Sequence, residues 1–221
     1  MGFWSSVGDF CSRAIDTVCS VASSLGSGLT TAASTLLKVA GPYLNSISTI
    51  VQFVGIFFDV ISARDNPEEL GAKAMQSDKQ PEDFNSNAEY IDHLRNEIKL
   101  DQAKFDNPST DDKAARTAVG ISIVAKGIQE TKGFDIPIEA WVALARVGLD
   151  KKSNLDEVNT ILDTFKDGKL ESFSDYTKGD LDAKKELEVG DRLVKMYQKL
   201  EPTLSEEKIE LKVMKMDKGD L

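Results

Sequence analysis

Reactive side chains are scarce in this sequence: histidine occurs once and cysteine twice in 221 residues. A metal site built on imidazole and thiolate needs three or four such ligands at short spacing, and His93 has no cysteine near it in sequence. A Ser-His or Cys-His nucleophile would depend on that same histidine. It stands in a strongly polar stretch, between Asp92 and Leu94, and reads as a surface residue. Cys11 and Cys19 fall on one expected helix, about 12 Å apart along its axis and too far for a bridge. They read as two reduced, packed thiols of a chain made in a reducing compartment.

Positive charge is also in short supply. The chain has 27 Lys and Arg against 37 Asp and Glu, a net charge of -10. That is the wrong sign for neutralising phosphates, so no nucleic-acid partner is expected. Attraction to an anionic membrane is weakened too, and apolar area must carry any membrane binding. There is no glycine-rich phosphate loop: Gly26 and Gly28 are followed by no Lys-Ser/Thr pair and preceded by no strand pattern. The segment Asp163–Leu170 (DTFKDGKL) has part of a calcium-loop pattern but places Phe165 and Ser174 where ligands are required, and reads as a helix end and turn. No catalytic residue, cofactor or metal is assigned, and no enzymatic activity is expected. Met1-Gly2-Phe3-Trp4 has no basic segment ahead of an apolar run, so a standard secretory signal is not expected.

Charge is scarcest at the start. Met1–Asp65 contains seven ionisable Asp, Glu, Lys or Arg residues, and the remaining 156 positions carry 57. This step divides the chain into an apolar helical region, 1–65, for membrane insertion or docking, and an acidic helical domain, 66–221. Thr17–Leu37 and Val39–Phe58 are both uncharged, each about as long as a bilayer-crossing helix. The first is rich in Ser, Thr, Ala and Gly and would insert poorly alone. The second extends to a stronger segment, Leu44–Ala63, in which Ile47, Ile50, Val51, Phe53, Val54, Ile56, Phe57, Phe58, Val60 and Ile61 surround the helix. That pattern marks a helix covered on all sides, by core or by lipid. Pro42 suits a break before it, and Asp59 near its end would cost less than the roughly 2.5–3.5 kcal/mol of a charge at a bilayer centre. Gly26, Gly28 and Gly55 are candidate close-packing positions between helices. The first two equally suit a loop.

Beyond residue 65 the periodicities are helical, which makes the fold class all-α. Asn85 or Ser86 is expected to cap a helix using Ile91, Leu94, Ile98 and Phe105. Ser109 with Asp112 starts a helix over Ala114–Ile128 that Gly133 ends. Pro137 opens one containing Trp141, Leu144, Ala145 and Leu149. Ser153 caps Leu155–Phe165 with Gly168 at its stop, and Asp180–Leu200 is ended by Pro202. Residues 204–216 carry both strand and helix signals, with helix favoured by Ser205-Glu206-Glu207.

An apolar helical pair, Thr17–Leu37 and Val39–Phe58, attached to a helical bundle resembles the layout of colicin-type toxins. Colicin hairpins, however, lie near the C-terminus among basic helices. In length and layout the chain is more similar to the small ion-conducting pore-forming effectors of bacterial type VI secretion systems. That resemblance implies a toxin that leaves the producer's cytoplasm without a signal peptide. It further implies a target-cell inner membrane, a neutralising immunity protein, a secretion-machine component and a homo-oligomer in the membrane. Competing readings are a docking or adaptor protein whose N-terminal helices bind a protein partner, an enzyme without a recognisable motif, and a helical fold with Leu44–Ala63 as its central core.

Overall fold

The computed structural model describes residues 3–216, and every regular element among them is a helix. The chain divides into two compact units, Met1–Gly133 and Phe134–Leu221.

The first unit contains α1 (Phe3–Ser20), α2 (Ala22–Ala40), α3 (Leu44–Phe57), α4 (Pro67–Ala74), α5 (Asn87–Asn96), α6 (Gln102–Asp106) and α7 (Thr110–Lys132). Helix α7 is its axis, and α1, α2, α3, α4 and α5 all pack on it. Its ends are written locally. The Ser109 hydroxyl accepts from the Asp112 N–H at 3.1 Å, and Gly133 closes the helix in the left-handed region at φ 72°. Between them Ala114, Ala115, Ala118, Val119, Ile121, Ile123, Val124 and Ile128 are buried. The central helix is therefore α7, which has no exposed residue from Ala114 to Ala125, whereas α3 leaves Asn45 and Phe57 in water.

Small residues make that central position possible. A Cβ on Gly71 of α4 would clash with the Arg116 carbonyl oxygen, and one on Gly120 of α7 with that of Pro67. The two helices thus cross backbone to backbone. Helix α4 starts where the Asn66 side chain accepts from the Glu68 N–H at 2.8 Å, with Pro67 in the first turn. Helix α5 starts where the Ser86 hydroxyl accepts from the Glu89 N–H at 3.2 Å. It stops at Asn96, so Ile98 and Phe105 lie outside it rather than on its face.

The change of composition at residue 65 does not coincide with the division between units. An apolar hairpin must be covered in water, and the cover for Ile47, Ile50, Val51 and Val54 is α7, which lies on the acidic side of that change. Each of these buried side chains contributes roughly 2 kcal/mol. Helices α1 to α5 and α7 consequently share one core.

The second unit contains α8 (Ile138–Arg146), α9 (Leu155–Thr164), α10 (Leu170–Tyr176), α11 (Ala183–Leu200) and α12 (Glu206–Met216). Pro137 is the cap residue of α8, Asn154 rather than Ser153 that of α9, and Asp182, two residues past the expected start, that of α11. Leu149 is buried beyond the end of α8. Asp163–Leu170 forms the end of α9 and a turn through Gly168 at φ 70°. The ambiguous tail is helical, because Ile209, Val213 and Met216 fall on one side and are buried.

Candidate membrane-active region

The first apolar run does not form one helix. Helix α1 ends at Ser20, and α2 is itself kinked at Gly26 (φ 72°, ψ 167°). Leu25, Leu29, Ala33, Leu36, Leu37 and Ala40 form its buried stripe. The kink is strapped by a short 3-10 turn, Pro81–Asp83: the Gln80 side-chain amide donates to the Ser23 carbonyl at 2.8 Å, and the Glu82 carboxylate lies against Gly26. A Cβ on Gly28 would lie 3.4 Å from Glu82 Oε1. Gly26 and Gly28 therefore face a side chain rather than a neighbouring helix. A cleft of about 280 Å³ opens beside them, lined by Gly28, Leu29, Ala32, Pro81, Glu82 and Lys126 among others. Gly41 (φ 49°) and Pro42 then turn the chain into α3.

Helix α3 has 14 residues and ends at Phe57, not at Ala63. Its C-terminus is a Schellman turn: the Asp59 N–H donates to the Ile56 carbonyl at 3.2 Å and the Val60 N–H to that of Gly55 at 2.8 Å. Asp59 occupies the left-handed position, at φ 56°, where glycine is the ordinary residue. The following loop is clamped by Asp65. Its carboxylate accepts from the Ser62 N–H at 2.6 Å and from Arg95 Nη2 at 2.7 Å and Nε at 3.2 Å, and its carbonyl accepts from the Gln52 amide at 3.0 Å. Burial works to raise the Asp65 carboxyl, but hydrogen bonds from Arg95 and Ser62 and the guanidinium charge hold it below its ordinary value.

Of the side chains expected in lipid, Ile47, Ile50, Val51, Val54 and Ile61 are buried in the fold, and Phe53, Ile56, Phe58 and Val60 are half-buried. Phe57 is 53% exposed. Its ring meets that of Phe58 edge-on, centroids 5.0 Å apart, and Lys132 Nζ sits 4.6 Å above the Phe58 ring. A Cβ on Gly55 would lie 2.7 Å from Val124 Cγ1, so this glycine does bring α3 close to α7. Among the described residues, no helix is long and apolar enough to cross a membrane.

No known protein family matches the chain, and neither does any curated protein or solved structure. The region has to be read from its own chemistry.

His93 is buried rather than superficial, at 6% exposure. The loop before α5 folds over it, with the Phe84 ring 5.1 Å away and the Ser77 hydroxyl 3.4 Å from Nε2, while Nδ1 lies 3.0 Å from Glu97 Oε2. Cys11 is half-buried and Cys19 exposed, so only the first of the two thiols is packed; burial pushes the Cys11 thiol up. Among the described residues no group of three His, Cys, Asp or Glu could hold a metal ion.

The second unit holds an ionic cluster with no local signature in the sequence. Tyr197 of α11 donates to Glu157 of α9, and Lys212 of α12 lies 3.0 Å from Glu157 Oε1 and 2.7 Å from Glu201 Oε1. Lys212 also sits 4.3 Å over the Tyr197 ring. Burial, then the Glu157 charge and hydrogen bond, raise the Tyr197 phenol far above its ordinary value. Burial opposes the Lys212 charge, but its bonds to Glu201 and Glu157 outweigh that and raise it. The cluster ties α9, α11 and α12 together. The two links to Glu157 join residues 40 and 55 positions apart in different helices, too far for a sequence window to register.

Proposed function

We propose that this chain is a membrane-inserting protein that permeabilises or depolarises a lipid bilayer, with α2 and α3 as the inserting hairpin. The observation that carries this reading is the water-facing side of the hairpin. From Ala22 to Phe57 the exposed residues are Ser23, Ser27, Gly28, Thr31, Lys38, Val39, Pro42, Asn45 and Phe57, a single ion among nine. On α11, seven of ten exposed residues are ions. A helix that serves only as core needs one apolar face and gains solubility from charges on the other. A hairpin destined for lipid must avoid ions on both, whereas Ser and Thr are tolerated in membrane helices.

Insertion along this route requires α3 to lengthen. Its 14 residues span about 21 Å, short of a hydrocarbon core of about 30 Å. The next six positions, Phe58–Ala63, include Phe58, Val60 and Ile61, and rewinding the Schellman turn would give Leu44–Ala63 the required length. The bilayer would replace α7 as the apolar cover. Thr30 Oγ1 and Ser34 Oγ, one turn apart on α2, are buried without a hydrogen-bond partner and would find one on a neighbouring helix in the membrane. Two helices cannot enclose a lumen, so a homo-oligomer forms the conducting state. The similarity of layout to type VI effectors makes the substrate membrane a recipient bacterium's inner membrane, with an immunity protein as partner.

The test is full-length protein added to vesicles loaded with dye or carrying an ion gradient. Association followed by leakage or depolarisation is expected. Absence of both, over acidic to neutral pH and over neutral and anionic lipids, overturns the proposal.

A further inference from the structure

We infer that residues 77–86 are an autoinhibitory clasp on the hairpin: they hold α2 bent at Gly26, and their release lets α2 straighten to bilayer length beside α3. The inference rests on the membrane reading above and adds what restrains insertion.

The bend and the clasp fit each other atom by atom. In an unbroken α-helix the Ser23 carbonyl accepts from the N–H one turn on, that of Ser27. Here the Gln80 side-chain amide donates to it, at 2.8 Å. Gly26 stands at φ 72° and ψ 167°, a region that essentially only glycine enters. A Cβ at that position would run into the Glu82 carboxylate, so the clasp seats on α2 only where a side chain is lacking.

The clasp is rooted in the part of the first unit that stays behind when the hairpin leaves. Its own turn is closed by the Gln80 N–H, which donates to the Asp83 carboxylate at 2.8 Å. At its start the Ser77 hydroxyl donates to the Lys79 carbonyl at 2.8 Å and accepts from the Lys79 N–H at 3.0 Å. At its end the Phe84 ring packs on Tyr90 and His93 of α5, centroids 5.4 and 5.1 Å apart, and α5 itself packs on α4 and α7. Its hold on α2 is lighter, the Gln80 bond and the Glu82 carboxylate against Gly26 and Gly28. Such a hold can open while its root stays folded.

Release changes the length of α2. While bent, its longest straight stretch is residues 27–40, about 21 Å. Unbroken, its 19 residues would span about 28 Å, close to a hydrocarbon core of about 30 Å. Lys38 would then stand near one end, where a long basic side chain reaches the headgroups. Because α2 is only mildly apolar, it enters the bilayer together with α3.

The experiment uses the full chain and the variants Gln80→Glu, Gln80→Lys and Gly26→Ala, with two readouts: hydrogen–deuterium exchange in solution, and dye leakage from vesicles of phosphatidylcholine and phosphatidylglycerol. Gln80→Glu keeps the size of the side chain and loses the donor, whereas Gln80→Lys keeps a donor. Gly26→Ala removes the conformation on which the clasp seats. In Gln80→Glu the clasp amides, residues 79–84, should exchange about fivefold faster than in wild type, as loss of one hydrogen bond implies, with residues 114–128 of α7 unchanged. Leakage by Gln80→Glu and by Gly26→Ala should be faster by about fivefold or more, and Gln80→Lys should stay within about twofold of wild type in both readouts. Leakage by both releasing variants at the wild-type rate overturns the clasp and leaves the membrane reading intact. Exchange in α7 accelerated as much as in the clasp also overturns it, because the variant has then loosened the whole unit. Vesicles that neither wild type nor any variant permeabilises overturn the membrane reading, and the autoinhibition falls with it.

Discussion

The Arg95 guanidinium grips the Asp65 carboxylate with two donors, Nη2 at 2.7 Å and Nε at 3.2 Å, and in doing so fastens the loop after α3 to α5 across 30 positions of sequence. The carboxylate side chain is 10% exposed and the guanidinium 33%, so solvent screens the pair only in part. Arg95→Met should destabilise the first unit by about 1–2 kcal/mol, since it leaves a mostly buried carboxylate with fewer donors. The Asp65 carboxyl is lowered in the fold. Its contribution to stability is therefore complete above the unfolded value of about 3.9 and is lost as pH falls from there through the lowered folded value. Thermal melts from pH 7 to pH 2 should show a steeper acid loss for wild type than for Arg95→Met. Parallel curves would mean that Asp65 does not report on this clamp.

Asp59 sets the length of α3, and its substitutions separate charge from conformation. Asp59→Asn removes the charge but tolerates the left-handed region; Asp59→Gly removes it and favours that region. Glycine also opposes helical continuation by about 1 kcal/mol relative to good helix formers. Both variants should insert more readily than wild type, because a charge near the bilayer is removed. Between them, Asp59→Asn should cause the faster vesicle leakage. Equal rates for the two would break the link between this turn and insertion.

How much of this was legible in the sequence depended on the distance over which each feature is determined. The ends of α7 were readable because a serine hydroxyl and a glycine with positive φ fix them within a few residues. The end of α3 was not. Apolar residues continue past Phe57, and the helix stops in a Schellman turn whose left-handed position is held by Asp59 instead of the glycine that would signal it. The central role of α7 was hidden for a related reason. Five of its eleven buried positions are Ala or Gly, which add little to a hydrophobic pattern, yet their smallness lets neighbouring helices come close. His93 read as superficial from its polar neighbours because the Ser77–Phe84 loop that covers it is outside its own helical window. Gly26 and Gly28 carried a real signal, but of a kink and a carboxylate contact rather than of helix packing.

Gly120→Ala tests the backbone crossing of α4 and α7. An added methyl would clash with the Pro67 carbonyl, and neither backbone can move without opening the core. A loss of about 2–3 kcal/mol is expected despite alanine's better helix propensity. Gly190→Ala on α11 is the control, because its Cβ would meet nothing nearer than the Tyr176 hydroxyl at 3.8 Å. There the propensity gain of about 0.5–1 kcal/mol should appear as added stability. Urea melts of both variants measure this, and a neutral Gly120→Ala would refute the close crossing.

The tyrosine–glutamate–lysine cluster makes the second unit sensitive to alkali in a defined direction. Tyr197 and Lys212 are both raised in the fold. Their contributions are fully present below the unfolded values of about 10 and are lost as pH rises through the raised folded ones. Tyr90, in the first unit, is raised as well, by burial and then by the Glu82 charge. Two of the chain's four tyrosines should therefore stay un-ionised near pH 10 and titrate only as the protein unfolds. Phenolate absorbance followed alongside circular dichroism checks this. All four phenols ionising near pH 10 with the helix signal intact would rule it out. Lys212→Met should advance the unfolding of the second unit to lower denaturant by removing the cation between Glu157 and Glu201, at a cost of about 1–3 kcal/mol. Glu157→Gln in the same background should recover part of that loss, because the buried charge left unpaired by the first substitution is gone.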